Sequence, residues 1–151
     1  MANTIVVGYD GSRAAKAALA EAIDLAKSMD DGEVVITCGH DRHPGYLGYN
    51  DEPLWKSALE LDKIWSNMET KIQEDLEEAA KTVDSAGVKS ATACGRGRPA
   101  AIVVNVARET GARLIVVGAR GAGKSEETTV LGSTTTELLH TSHVPVLVVP
   151  A

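Results

Sequence analysis

Short apolar runs rich in Val and Ile alternate along this chain with longer stretches in which apolar residues recur every three or four positions. Residues 4–7 (TIVV), 33–38 (EVVITC), 88–94, 114–117 (LIVV) and 144–149 are the short runs. Runs of that length and composition predict strands, and the unbroken apolar run at 114–117 is what a parallel strand shows when both its faces are covered. Between them, residues 14–29 place Ala15, Ala18, Leu19, Ala22, Ile23, Leu25, Ala26 and Met29 at helical spacing, with Ser12 as N-cap and Asp31-Gly32 as the stop. Residues 54–86 carry a second apolar stripe through Leu61, Met68, Ile72, Leu76 and Val83, closed by Gly87. Arg98-Pro99 opens a third helix that runs through Ile102, Val103, Val106 and Ala107 to Gly111, and residues 134–140 form a fourth. Strands alternating with helices imply right-handed crossovers, hence an α/β fold: a doubly wound five-stranded parallel sheet with helices on both faces. Ligands of such sheets sit beyond the carboxyl ends of the strands where strand order reverses. The loops after the first, second and fourth strands are therefore expected to meet at one site.

Composition narrows the partners. At 151 residues and 44% hydrophobic content the chain suits one domain, read as 1–151. The net charge of -6, with no basic run, argues against nucleic acid. Cys38 and Cys94 close two strand-like runs at no framework spacing, so free thiols are expected. Neither a secretory leader pattern nor an apolar run of membrane-spanning length is present, and a cytoplasmic location away from membranes is expected.

The densest chemical signal lies in residues 113–139, where an apolar strand is followed by Gly118, Gly121 and Gly123, and then by Gly132-Ser133 at a helix start. Glycines let backbone N–H groups approach an anion, and the amides and dipole of a helix N-terminus favour phosphate. Two devices share this order. Residues 118–125 (GARGAGKS) match the Walker A pattern. That device needs a helix directly after Lys-Ser and an acidic residue on another strand for Mg²⁺. Here Glu126-Glu127-Thr128-Thr129 leads to another Gly-Ser, and the last strand ends at Pro150 without an acid. Asp10 could supply the acid only in a permuted arrangement.

The second device is carried by residues 5–12 (IVVGYDGS), 95–121 (GRGRPAAIVVNVARETGARLIVVGARG), Gly132-Ser133 and 143–150 (HVPVLVVP). In these the chain resembles the universal stress protein family, whose fold is Rossmann-like and whose nucleotide-binding members carry a G-x2-G-x9-G-[ST] signature. Gly118 and Gly121 fit its first part, and ten residues separate Gly121 from Gly132. The resemblance implies that Gly118, Gly121, Gly132 and Ser133 hold ATP phosphates, with Thr134 and Thr135 adding amides or hydroxyls. Gly123 lies in the same loop, and Arg120 and Lys124 offset the charge of Glu126 and Glu127. Asp10 is placed near the ribose or a phosphate-bound metal, Gly8 and Tyr9 line the nucleotide, and Gly39 offers backbone to the adenine edge. Asp10 also fits a helix-start turn, Gly39 a turn glycine, and Ser133 a helix cap.

The implied ligand is ATP, with Mg²⁺ as an optional companion and cyclic AMP as another adenine nucleotide. The family resemblance also implies a stress-response role, a homodimer through the C-terminal strand, and at most slow ATP hydrolysis or autophosphorylation. A nucleotide-free interaction protein of the same fold, acting on an unidentified protein partner, is the alternative. No nucleophile, base and orienting acid occur together, so no catalytic residues are assigned. Cys38, His40, Asp41 and His43 form only a fragment of a metal spacing, and no metal ligands are assigned. Residues 39–53 read as a long loop that is either a lid or disordered. Trp55 and Trp65 read as core or subunit-contact residues on the long helix.

Overall fold

The computed structural model describes residues 3–40, 58–120 and 131–150. The expected alternation is present as β1 (Thr4–Gly8), α1 (Arg13–Lys27), β2 (Glu33–His40), α2 (Ala58–Ser85), β3 (Lys89–Arg96), α3 (Pro99–Thr110), β4 (Leu114–Gly118), α4 (Ser133–Thr141) and β5 (Val146–Val149). All neighbouring strands pair in parallel, in the order β3-β2-β1-β4-β5. From β1 the chain adds strands on one side, then crosses beneath β2 and β1 to add β4 and β5 on the other. A fixed crossover handedness requires the helices to change face when the direction of travel reverses. That is what the packing shows, with α1 and α2 on one face and α3 and α4 on the other.

Period-two alternation in each strand divides the core between those faces. Ile5, Val7, Val34, Ile36 and Val116 pack against α1 and α2 through Ala18, Leu19, Ala22, Leu76 and Val83. Val6, Val35, Ile115 and Val117 pack against α3 and α4 through Ala100, Val103, Ala107 and Leu138. Alanine dominates the buried side of α1, at positions 14, 15, 18, 22 and 26. Side chains that small allow the helix axis to lie close to the sheet.

The elements depart from expectation at their ends, and each departure has a physical cause. β2 runs two residues past Cys38 because Gly39 and His40 pair with Gly95 and Arg96 of a β3 that is itself longer than expected. Gly39 is thus a strand residue rather than a turn glycine. Helix α1 stops at Lys27, where the Ser28 N–H donates to the Leu25 carbonyl and the Met29 N–H to the Ala26 carbonyl. Asp31 takes the left-handed turn at φ 51, while Gly32 is required by space, since a Cβ there would collide with the Ala26 carbonyl. β5 begins at Val146 because Val144 is held in a turn, its N–H donating to Ser142 Oγ at 3.0 Å and its carbonyl accepting from the same hydroxyl at 2.6 Å. The expected start of α2 at residue 54 lies outside the described residues.

Candidate functional site

Strand order reverses between β1 and β4, and the carboxyl ends of those strands open into a cleft of about 560 Å³. Its walls come from every part of the sheet that the sequence brought together. β1 and its turn supply Gly8, Tyr9 and Asp10; β2 supplies Thr37, Cys38 and Gly39; β4 and its loop supply Val117, Gly118 and Arg120. Helix α2 closes one end with Met68 and Ile72, α3 contributes Pro99 and Val103, and α4 presents Gly132, Ser133, Thr134 and Thr135.

The two helices that start at the cleft are treated differently by the sequence. Helix α1 is capped, since Ser12 Oγ accepts from the Ala15 N–H at 3.1 Å and Asp10 Oδ1 accepts from the Ser12 N–H at 2.9 Å. Asp10 is therefore the turn residue that starts α1 and also a wall of the cleft. Helix α4 has Gly132 as N-cap and no side-chain cap among the described residues. Its first-turn residues Ser133, Thr134 and Thr135 line the cleft, at the helix end where backbone amides lack intrahelical partners and the dipole is positive. The start of α4 is pinned to β4 by two bonds of 2.8 Å: the Gly132 N–H donates to the Ala119 carbonyl and the Thr135 hydroxyl donates to the Gly118 carbonyl. The Thr135 hydroxyl is thus spent on positioning, and what this residue offers a ligand is its amide.

The glycines of the cleft are explained by close approach more than by left-handed backbone. A Cβ on Gly118 would lie 2.6 Å from the Ala14 Cβ and 2.7 Å from the Ala14 carbonyl carbon, so β4 can end beside the first turn of α1 only with glycine there. On Gly39 it would lie 2.8 Å from Ile102 Cγ1 and 3.0 Å from the Pro99 Cα, at the foot of α3. Neither residue has a positive φ.

Burial sets the chemistry of the remaining wall. Burial first, then Asp75, Glu78 and Asp10, push the Tyr9 hydroxyl above its ordinary value, so it stays a neutral donor. Cys38 is pushed up to about 12, chiefly by burial and then by Cys94, Asp10 and Asp75. Thr37 is fully buried, and its Oγ1 has no hydrogen-bond partner among the described residues. An orphaned hydroxyl in a strand core is costly.

Of the residues expected at the site, Gly8, Tyr9, Asp10, Gly39, Gly118, Arg120, Gly132, Ser133, Thr134 and Thr135 line this one cleft. Gly121, Gly123 and Lys124, with Glu126 and Glu127, lie outside the described residues, as do His43 and Trp55. Sequence reasoning missed Thr37, Met68, Ile72, Pro99 and Val103. Only Thr37 carried a signal, as the hydroxyl inside the apolar run EVVITC.

A doubly wound parallel sheet with a cleft at the point where strand order reverses defines a Rossmann-like α/β protein. The chain belongs to the universal stress protein family, whose model matches residues 1–150. It is 34% identical over 145 residues to Universal stress protein MJ0531 of Methanocaldococcus jannaschii, covering 96% of this chain and 80% of that protein. It is 30% identical over 149 residues to Universal stress protein YxiE of Bacillus subtilis, covering 99% of each. Among solved structures, that of the hypothetical protein MJ0577 shares the fold with a TM-score of 0.83 at 23% identity, covering 100% of this chain and 97% of that one. The fold is shared as well by a universal stress protein in complex with cAMP, at a TM-score of 0.62, 23% identity and coverage of 99% and 97%. A universal stress protein from Archaeoglobus fulgidus in complex with dAMP has a TM-score of 0.64 at 17% identity, with coverage of 99% and 98%.

Proposed function

We propose that this protein is an adenine-nucleotide-binding regulatory module of the stress response, with ATP as its ligand, working as one cytoplasmic domain that pairs with a second copy through β5. The observation that carries the nucleotide reading is the uncapped start of α4, whose Ser133, Thr134 and Thr135 amides face a cleft with an apolar far end. A phosphate chain suits the first, and a purine base suits the second, where Met68, Ile72 and Gly39 form the wall. Arg120 adds positive charge at the phosphate end, and Asp10 stands where a ribose hydroxyl or a phosphate-bound cation would be held. The cleft volume lies within the range of small-molecule sites, roughly 300–1,000 Å³. The cAMP and dAMP complexes of proteins sharing this fold support an adenine nucleotide.

Calorimetry on the purified chain with ATP, ADP, AMP and cAMP, each with and without Mg²⁺, tests this reading. Binding tighter than about 1 mM is expected for at least one of them, strengthened by each added phosphate if the α4 amides hold the chain. No heat with any of the four would favour the nucleotide-free interaction protein instead. Gly121→Val is expected to weaken the binding. Turnover abolished by Lys124→Ala would point to phosphotransfer.

A further inference from the structure

Cys38 and Cys94 are Cα partners in the β2–β3 register, the third of the four pairs from Ile36↔Thr92 to Gly39↔Gly95. Neighbouring strands lie about 4.8 Å apart, inside the range of roughly 4.4–6.8 Å that Cα atoms of a disulfide span. Register partners in a parallel pair project from the same face. Cys38 packs against the core beneath α1 and α2, whereas Ala91 and Ala93 of β3 pack against the opposite core, so Cys94 stands on the Cys38 side. The two thiols differ in access: Cys94 is exposed, and Cys38 is half-buried in the cleft wall. Their electrostatic coupling is direct, since Cys94 is among the groups that hold the proton on Cys38.

We propose that Cys38 and Cys94 are a reversible dithiol–disulfide site in the wall of the cleft, oxidised by peroxide and reduced by small thiols. The exposed Cys94 reacts first. Its thiolate attacks one peroxide oxygen, the O–O bond breaks, the leaving oxygen takes a proton to become water, and Cys94 becomes a sulfenic acid. Cys38 sulfur then attacks the Cys94 sulfur, the S–O bond breaks, and the departing hydroxide takes the Cys38 proton as a second water. Two electrons pass from the two thiols to one peroxide. A thiol reductant reverses the bond by exchange, with no further reagent.

Burial and Glu69 raise Cys94, and burial raises Cys38 still more, so both thiols are protonated at neutral pH and the reaction is slow there. Its rate is expected to climb about tenfold per pH unit while the thiolate fraction of Cys94 grows. The test treats the full chain with hydrogen peroxide and then counts free thiols after denaturation, alongside intact mass and a non-reducing gel. The expected result is loss of both thiols together in a chain of unchanged monomer mobility, lighter by two hydrogens and restored by dithiothreitol. In Cys94→Ser, Cys38 is expected to resist peroxide; in Cys38→Ser, Cys94 is expected to run on to sulfinic acid, with far-UV circular dichroism confirming the fold of each. Survival of both thiols, oxygen added to Cys94 while Cys38 stays free in the wild type, or a covalent dimer in place of the intrachain bond would overturn the proposal. None of these readouts involves a nucleotide.

Discussion

At the scale of single residues, Thr37 and Gly118 make opposite predictions about space and polarity. Thr37 Oγ1 is buried without a partner, so replacing it by the isosteric Val removes an uncompensated hydroxyl. Thr37→Val is expected to stabilise the nucleotide-free protein by about 1 kcal/mol in urea unfolding. A Thr37→Val protein less stable than the parent would show that the hydroxyl is satisfied in solution. Gly118→Ala does the reverse, because its Cβ meets the Ala14 backbone as well as its side chain. A loss of about 1–3 kcal/mol is expected, read from the same urea curves. Gly118 was visible in the sequence as a glycine after a strand, but its reason was not. A phosphate loop and a tight helix–strand crossing both call for glycine, and only the contact with Ala14 tells them apart.

At the scale of elements, the contrast between α1 and α4 connects local sequence to function. Ser12 and Asp10 close the start of α1, whereas Gly132 leaves that of α4 to whatever enters the cleft. Ser12→Ala is expected to cost about 1 kcal/mol through the lost cap. Gly132→Asp should do something different, since the new carboxylate can cap α4 from within and stabilise it by a few tenths of a kcal/mol. It would also fill the anion seat with a fixed negative charge, so calorimetric heat from ATP is expected to vanish while thermal stability holds. Retained ATP binding in this variant would show that the phosphates lie elsewhere. Strand and helix types were legible because short β-branched apolar runs and stripes of period 3.6 are local signals, from TIVV in β1 to the alanine stripe of α1. Their ends were less so, because they depend on partners far away in sequence: β2 is extended to His40 by pairing with Arg96, and no window around His40 contains that information. The apolar end of the cleft was missed for the same reason, since Met68, Ile72 and Val103 read as ordinary helix-core residues until the helices are placed over the sheet.

At the scale of the whole molecule, burial of the thiol and phenol in the cleft wall fixes how stability responds to pH. Cys38 has its proton held up to about 12 against an ordinary 9.0, and Tyr9 shifts in the same direction. The native state then binds protons more tightly than the unfolded chain, so the stability these groups contribute is complete below about 9 and is lost as pH rises toward about 12. Unfolding free energies measured under reducing conditions should fall across that window, and Cys38→Ala should flatten the fall; parallel declines in the two proteins would locate the cause elsewhere. The second property of the whole is its open edge. β5 pairs only with β4 among the described strands, its residues are half-buried, and Leu139 on the neighbouring α4 is 50% exposed. An apolar edge strand with unpaired amides and carbonyls on one side is a template for another strand. A second copy of β5 related by two-fold symmetry would satisfy both chains at once, because an isologous contact leaves no open edge behind. Light scattering is therefore expected to show a dimer at micromolar concentration, and Leu139→Glu to shift it toward monomer without lowering helix content, if the exposed leucine lies in the paired surface. A wild-type chain that stays monomeric at that concentration would mean that the edge is protected within one chain, and the dimer would have to be abandoned while the cleft, which is built from one copy alone, would stand.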